Sequence, residues 1–156
     1  MEWEQRVTEV WARFDEVPEE DFPALVESAV EGAPPAVAAF ELAGAFDSTG
    51  HPDRAVPLYR EALDLGLTGE HRRRAVIQLA SSLRNLGQPE VAVDLLTAER
   101  DAGSDDLDDA VRAFLALALV DVGREREAVS LALGALAPHL PRYQRSLRDY
   151  ARELLG

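Results

Sequence analysis

The sequence lacks cysteine altogether, so it forms no disulfide and no thiolate-based metal or redox site. It also lacks lysine, so all 16 basic residues are arginines, whereas 29 residues are acidic and the formal net charge is −13. A general nucleic-acid binder needs a basic surface, so this charge argues against that class. It favours partners that are neutral or basic.

Long apolar runs and strand-forming residues are also scarce. No apolar run approaches the roughly 18 residues of a membrane-spanning helix. The N-terminus, Met1-Glu2-Trp3-Glu4, is acidic and has no apolar core, which does not fit a signal peptide. Isoleucine occurs once and threonine is sparse, so little favours β-strands. We therefore expect an all-α protein in the cytoplasm, with no membrane partner.

A pattern of leucine, alanine and glycine occurs three times in the chain. The glycines Gly50, Gly87 and Gly123 are 37 and then 36 residues apart. A Leu-Ala pair begins eight residues before each glycine, an alanine follows five residues after it, and a leucine follows eight residues after it. Self-similarity at a period of 20 to 50 residues is typical of stacked repeat proteins.

Each repeat is predicted to contain two helices that meet at the glycine. Glycine adopts the left-handed conformation that commonly follows a helix without a Cβ penalty. Pro52 and Pro89 come two residues later, where a first-turn proline loses no hydrogen bond inside the helix. The repeated alanines are small enough for two helices to cross closely.

The pattern resembles the tetratricopeptide repeat. The residues that carry the resemblance are Ala39, Leu42, Ala43, Phe46, Gly50, Ala55, Tyr59, Ala62 and Leu63 in the first unit, Val76, Leu79, Ala80, Leu83, Gly87, Ala92 and Leu96 in the second, and Leu115, Ala116, Leu119, Gly123, Ala128, Ala135, Leu136 and Pro138 in the third. Arg112 departs from the pattern, because a large apolar residue is usual there. The resemblance implies an all-α fold, a right-handed α-solenoid of three helix-turn-helix repeats.

On this interpretation the 156 residues form one domain. Its predicted parts are an N-terminal helical segment at 1–35, repeats at 36–69, 70–104 and 105–138, and a capping helix at 139–156. It is similar to small bacterial proteins made almost entirely of such repeats. The resemblance further implies that the protein is a scaffold without catalysis, which binds a protein or peptide segment in a concave groove.

The first helices of such repeats line the groove, and the resemblance indicates which side chains point into it. The predicted groove residues are Phe40, Asp47, Arg74, Ile77, Ser81, Arg84, Asn85, Leu117 and Asp121. Guanidinium groups fit carboxylates, so Arg74, Arg84 and Asn85 are candidates for holding an acidic side chain or a C-terminus of the bound segment. The alternative is that both arginines pair with Asp47, Asp121 or solvent.

The N-terminal segment offers a second kind of surface. Residues 2–16 are predicted to form an amphipathic helix with an apolar stripe of Trp3, Val7, Val10, Trp11 and Phe14. This stripe either covers the exposed face of the terminal repeat or pairs with a second copy of the chain. The candidates for self-association are Trp3, Val7, Trp11 and Phe14, and a homodimer is the alternative to the peptide-binding scaffold.

The last helix, predicted over 141–155, has an apolar face with Tyr143 and Tyr150. Another face carries four arginines in an otherwise acidic protein: Arg142, Arg145, Arg148 and Arg152. Either this face is solvated and pairs with acidic neighbours, or it contacts an anionic surface, including one on another subunit.

Catalytic and metal-binding patterns are missing. The three histidines, His51, His71 and His139, are far apart and have no ligand or triad spacing. The acidic stretch Asp101–Asp109 lacks the frame of a calcium loop, and Ser104 or Asp105 is instead the expected N-cap of the next helix. No glycine-rich phosphate loop is present. We therefore expect neither enzymatic activity nor a metal or cofactor.

Overall fold

A computed structural model describes residues 2–156, and within this range it contains nine α-helices, two short 3-10 helices and no strand. The all-α prediction is confirmed. The α-helices are α1 (Trp3–Ala12), α2 (Phe22–Ala29), α3 (Pro35–Ser48), α4 (Pro52–Asp64), α5 (Gly69–Asn85), α6 (Pro89–Ala102), α7 (Asp108–Asp121), α8 (Glu125–Leu136) and α9 (Gln144–Glu153). The 3-10 helices are Phe14–Glu16 and Ala137–His139.

The chain divides into two compact units, Met1–Ser82 and Leu83–Gly156. The first unit contains α1 to α4 and most of α5, and the second contains the end of α5 and α6 to α9. Each unit has its own set of buried side chains. That residues 1–156 form a single domain stays a prediction.

The first unit is built around the α3–α4 pair and an N-terminal pair of helices. Ala43 and Ala55 are fully buried, as expected for small residues where two helices pack closely, and Tyr59 fills the space beside them. Phe22 on α2 is also fully buried, with the ring of Phe14 4.8 Å away in an edge-to-face arrangement. Such aromatic pairs add about 0.5–1.5 kcal/mol to the burial of their area.

The second unit packs α7 between α6 and α8, with α9 against α8. Its core is mostly aliphatic, because Leu83, Leu96, Val111 and Leu115 are 0–1% exposed. Ala151 is buried on the inner side of α9, whereas most of the rest of that helix is exposed. This unit therefore relies on leucine and valine where the first unit uses aromatic rings.

The three repeated glycines end their helices in the same way. Gly50, Gly87 and Gly123 have φ of 80°, 77° and 76°, and each donates its N–H to the carbonyl three residues earlier. The next residue donates its N–H to the carbonyl five residues back, at 2.9 Å in all three repeats. These two bonds satisfy carbonyls that the helix itself leaves unpaired. The predicted role of the glycines is therefore what the structure shows.

Two predicted helix ends differ from the structure. The first α-helix ends at Ala12 rather than near residue 16, and the tighter 3-10 turn that follows places Phe14 against Phe22. The last helix begins at Gln144 rather than 141, because Tyr143 has a left-handed backbone with φ of 69°. Such a conformation cannot continue a right-handed helix.

The predicted N-cap of α7 at Ser104 or Asp105 is wrong, because the N-cap position is Leu107. Asp105 instead accepts the N–H of Leu107 at 2.7 Å, and its own N–H is donated to Asp108 Oδ1 at 3.0 Å. The Ser104 hydroxyl donates to Asp108 Oδ2 at 2.6 Å. Because these polar groups bond to one another, they organise the turn before the helix instead of capping the helix.

The shared glycine turn predicts opposite effects for two glycine-to-alanine changes. Gly123→Ala places a Cβ in the left-handed region and is expected to lower the free energy of unfolding by about 1 kcal/mol. The matched control is Gly134→Ala inside α8, where a Cβ meets nothing within 4 Å. Its expected effect is a gain of about 0.5–1 kcal/mol, since alanine is the better helix former. Urea unfolding measures both, and a neutral Gly123→Ala would contradict the turn's role.

Candidate functional site

The inner face of the first unit centres on Phe40 of α3. Phe40 is only 2% exposed, and the guanidinium of Arg74 on α5 lies 5.1 Å from the centre of its ring. The ring of His71 makes an edge contact with Phe40 at 5.4 Å. Ile77, another predicted groove residue, is also buried, and Ser81 is half-buried. Phe40 is thus a platform for Arg74 rather than an open apolar contact.

Helix α1 covers part of this inner face. The indole N–H of Trp11 donates to Glu41 Oε2 at 2.8 Å, and the Trp11 ring lies 3.4 Å from where a Cβ on Gly44 would be. The indole therefore packs directly over the backbone at Gly44. A pocket of about 380 Å³ remains beside Trp11, lined by side chains of α1, α3 and α5 that include Arg74 and Gln78.

This pocket contains polar groups without partners. Among residues 2–156, the Arg74 guanidinium has no ion pair or hydrogen bond. The Oε1 atom of Gln78 is buried and likewise accepts no hydrogen bond from the described residues. Buried polar atoms are usually satisfied, so these two side chains offer a donor set and an acceptor in one place.

Asp47 joins three helices of the first unit. The hydroxyl of Tyr59 on α4 donates to Asp47 Oδ2 at 3.2 Å, and the hydroxyl of Ser82 on α5 donates to Oδ1 at 2.9 Å. Tyr59 and Ser82 are both fully buried. Burial, together with the negative charge of Asp47, raises the pKa of Tyr59 far above its usual range. Both oxygens of this predicted groove residue are thus engaged within the chain.

The remaining predicted groove residues belong to the second unit. Arg84 on α5 and Asp121 on α7 form an ion pair through Arg84 Nε and Asp121 Oδ2. Of the two alternatives stated for Arg84, the structure therefore shows the pairing with Asp121. The neighbouring residue, Asn85, is exposed. Leu117 on α7 is 46% exposed, whereas the large aliphatic side chains of the helical core are buried.

Helix α7 presents a bare apolar face. Phe114, Leu117 and Val120 are 36%, 46% and 47% exposed, whereas Leu115 and Leu119 on the opposite side are buried. Residues three apart lie on the same side of a helix, so the three exposed side chains share one face. A helix that is apolar all round is normally buried all round. We call Phe114, Leu117 and Val120 the α7 apolar face.

Phe114 is absent from the predicted site, although the sequence contains a signal for it. The stretch Ala113–Val120 is apolar at every position, so this part of the helix is apolar on all sides. One repeat neighbour on each side buries only part of the helix surface, so some of these apolar side chains are left exposed. Asp109, in the first turn of α7, belongs to a polar cluster: its Oδ2 lies 2.8 Å from His139 Nε2, and its Oδ1 accepts a hydrogen bond from Arg112 at 3.0 Å. The hydrogen bond with His139 is the main cause that lowers the pKa of Asp109, and the bond with Arg112 lowers it further.

The apolar stripe of α1 packs largely within its own unit. Val7 is buried, and Trp11 and Phe14 pack against the cluster that contains Phe22. Trp3 is part of the same cluster at its edge. Self-association through this stripe stays a prediction, and a second copy would have to compete with these intramolecular contacts.

Metal sites and membrane-spanning helices are two further features for which the described residues can be examined. No three histidine, aspartate or glutamate side chains within 2–156 are grouped as metal ligands would be. None of the helices in this part of the chain combines the length and apolarity needed to cross a bilayer.

Comparison with protein families shows that the model of the tetratrico peptide repeat matches residues 36–154. Because this match covers most of the chain, the protein belongs to the tetratricopeptide repeat family, as its sequence pattern predicts. Repeats of this family are typically non-catalytic interaction modules, and membership suggests a scaffold for protein–protein interaction. Comparison with curated proteins and with solved structures gave no significant match.

The Asp47 network predicts that its carboxylate stabilises the first unit. Asp47→Ala leaves the buried hydroxyls of Tyr59 and Ser82 without an acceptor, and we expect a loss of about 2–4 kcal/mol in the free energy of unfolding. Tyr59→Phe removes only one bond and is expected to cost about 1–2 kcal/mol. Asp64→Ala, an exposed aspartate on α4, is the control and should stay within about 0.5 kcal/mol of wild type.

Thermal and urea unfolding, followed by circular dichroism, measure these differences. If Asp47→Ala proves no more destabilising than Asp64→Ala, the two hydroxyls have other acceptors and the network is not structural.

Proposed function

We propose that this protein binds an apolar segment of a partner protein, and that the α7 apolar face of the second unit is the main contact. The observation that carries this proposal is the exposure of Phe114, Leu117 and Val120 on one side of a single helix. Clustered apolar side chains of this kind mark interaction sites on soluble proteins. Family membership supports the same function, since the repeats are interaction modules.

The arrangement suits a helical or extended segment with apolar anchors. Phe114 and Leu117 are about one helical turn apart, and Val120 is about one turn further on, so anchors spaced along a partner's own helix or strand meet them in succession. The nearest charged groups at the C-terminal end of α7, Arg84 and Asp121, neutralise each other. Specificity at that end therefore rests on shape and apolar contact more than on net charge.

A polar anchor is expected in the first unit. Of the two groove arginines, Arg74 is the one whose guanidinium has no ion pair in the described chain, whereas Arg84 is paired with Asp121. We therefore place recognition of a carboxylate at Arg74, with Gln78 beside it in the same pocket of the first unit. Of the other predicted groove residues, Asp47 acts through the architecture of the first unit.

Self-association is a second candidate function, and the surfaces of the terminal helices favour it. Tyr143 and Tyr150 of the α9 region are 75% and 64% exposed, more than any other large apolar or aromatic side chain in residues 2–156. Aromatic side chains left this exposed are typical of contact surfaces. We expect both functions to operate in the cytoplasm, with neither nucleic acid nor membrane as a partner.

The α7 apolar face is tested by a matched pair of variants. Leu117 on α7 and Val129 on α8 are both 46% exposed, so Leu117→Asp and Val129→Asp place the same charge at equally open positions. Peptides selected from a displayed random library against the wild-type protein serve as the probe. We expect Leu117→Asp to weaken their binding at least about tenfold, because a carboxylate at an apolar contact is desolvated without a partner.

Val129→Asp should leave the same affinities unchanged, as measured by fluorescence anisotropy. Equal losses in both variants, or no loss in Leu117→Asp, would contradict a binding site on the α7 apolar face. The circular dichroism spectrum of each variant shows whether a loss comes from unfolding.

Carboxylate recognition by Arg74 is tested with each selected peptide in two forms, one with a free C-terminus and one amidated. We expect Arg74→Gln to abolish a preference for the free acid, because the guanidinium that pairs with it is gone. Arg84→Gln is the control and should keep the preference, since Arg84 already pairs with Asp121. A preference lost only in Arg84→Gln would move the anchor to the second unit.

A further inference from the structure

Charge is distributed unevenly between the two ends of the chain. Residues 2–31, which contain α1 and α2, include ten acidic residues and only two arginines. Residues 142–156, which contain α9, include four arginines and two acidic residues. The first segment therefore has a formal charge of −8 and the last one of +2. Opposite charge at the two ends of one chain allows copies of that chain to attract one another.

The acidic hairpin of α1 and α2 contains an unfilled apolar groove. Its volume is about 650 Å³, and its apolar lining includes Val10, Ala12, Leu25 and Ala29. Leu25, one of these lining residues, is 41% exposed. We call this feature the N-terminal groove. Its size and lining suit the side chains of one exposed helix.

Both arginines beside the N-terminal groove are already engaged. Arg6 donates from Nε to the carbonyl of Ala29 at 3.2 Å and from its terminal nitrogen to the carbonyl of Glu31. Arg13 lies 3.5 Å from Glu16 in an ion pair. The surplus charge around the groove is therefore negative.

Helix α9 carries the complementary features. The arginines Arg142, Arg148 and Arg152 make no ion pair or hydrogen bond among the described residues, and Arg145 has only a 4.0 Å contact with Asp149. On a different face from these arginines, Tyr150 is 64% exposed, the left-handed Tyr143 before the helix is 75% exposed, and Leu155 after it is 60% exposed. Tyrosine and arginine are the side chains most enriched at the energetic centres of interfaces.

We propose that the protein self-associates head to tail, with α9 of one copy docked in the N-terminal groove of the next. Tyr150 and Tyr143 supply the short-range packing against Leu25 and Val10. The arginines act over longer range, because charges attract across about one Debye length, roughly 8 Å in physiological salt. A second copy is the occupant that the charges favour, since both complementary surfaces are present in the chain itself.

A head-to-tail contact differs from a symmetric dimer in a way that can be measured. Each copy in such a contact still has one free groove and one free α9, so the assembly grows with concentration unless it closes into a ring. This proposal is independent of the α7 apolar face, whose residues belong to neither surface.

The experiment is light scattering over a range of concentrations, at low and at physiological salt. We expect the average mass of the wild type to rise above the monomer with concentration and to fall as salt is added. Leu25→Asp in the groove and Tyr150→Asp on α9 should each stay monomeric. An equimolar mixture of the two variants should form particles of twice the monomer mass and no larger, because one intact groove meets one intact α9.

Ser28→Arg in the groove and the double variant Arg148→Glu/Arg152→Glu on α9 repeat the test at exposed positions where unfolding is not expected. Leu65→Asp, a leucine of the first unit that is 50% exposed and outside the groove, is the matched control and should associate as the wild type does. Leu117→Asp should also keep the wild-type mass. Loss of peptide binding in that variant and loss of self-association are thus separate outcomes.

Two results would overturn the proposal. A wild type that is monomeric at every concentration would show that neither surface binds a second copy, so both would be open to another partner. Variants that are monomeric alone and also monomeric when mixed would show that the two surfaces do not bind each other.

Discussion

The architecture depends on one backbone constraint, a left-handed residue directly after the first helix of each repeat. Only glycine adopts this conformation without strain, and at Gly50, Gly87 and Gly123 it allows the same pair of closing hydrogen bonds. Those bonds satisfy the helix's terminal carbonyls and turn the chain back within two residues. In the α3–α4 and α7–α8 pairs the second helix packs against the first and carries a buried alanine, Ala55 or Ala128, so the turn and the close packing reinforce each other.

The same repeated pattern produces different surfaces because its neighbours differ. In the first unit, Trp11 of α1 lies against Gly44 and is hydrogen-bonded to Glu41, so the inner face of α3 is partly covered. In the second unit, the corresponding face of α7 has no such cover, and Leu117 is exposed. In the described residues α3 is thus partly covered by α1, whereas the α7 apolar face, which is the proposed binding surface, stays exposed.

Charge has separate roles in the two units. Asp47 and the buried hydroxyls that it accepts form an internal network, which holds α3, α4 and α5 in register. Arg84 and Asp121 neutralise each other at the C-terminal end of α7. Among the arginines of the described residues, Arg74 and those of the last helix other than Arg145 make no ion pair, so they are the cations that we propose for contacts with other molecules.

The sequence by itself determined the helix pairs, the glycine turns and the family, because these follow from local periodicity and backbone preference that are repeated three times. It also identified Leu117 and Arg74 as candidate site residues. Only the tertiary structure decided that Phe40 is a buried platform, that Asp47 and Arg84 are engaged within the chain, and that Phe114 is open. It also decided the start of α9 at the left-handed Tyr143. The physical reason is that spacing along a helix shows which side chains share a face, whereas burial and pairing depend on what packs against that face.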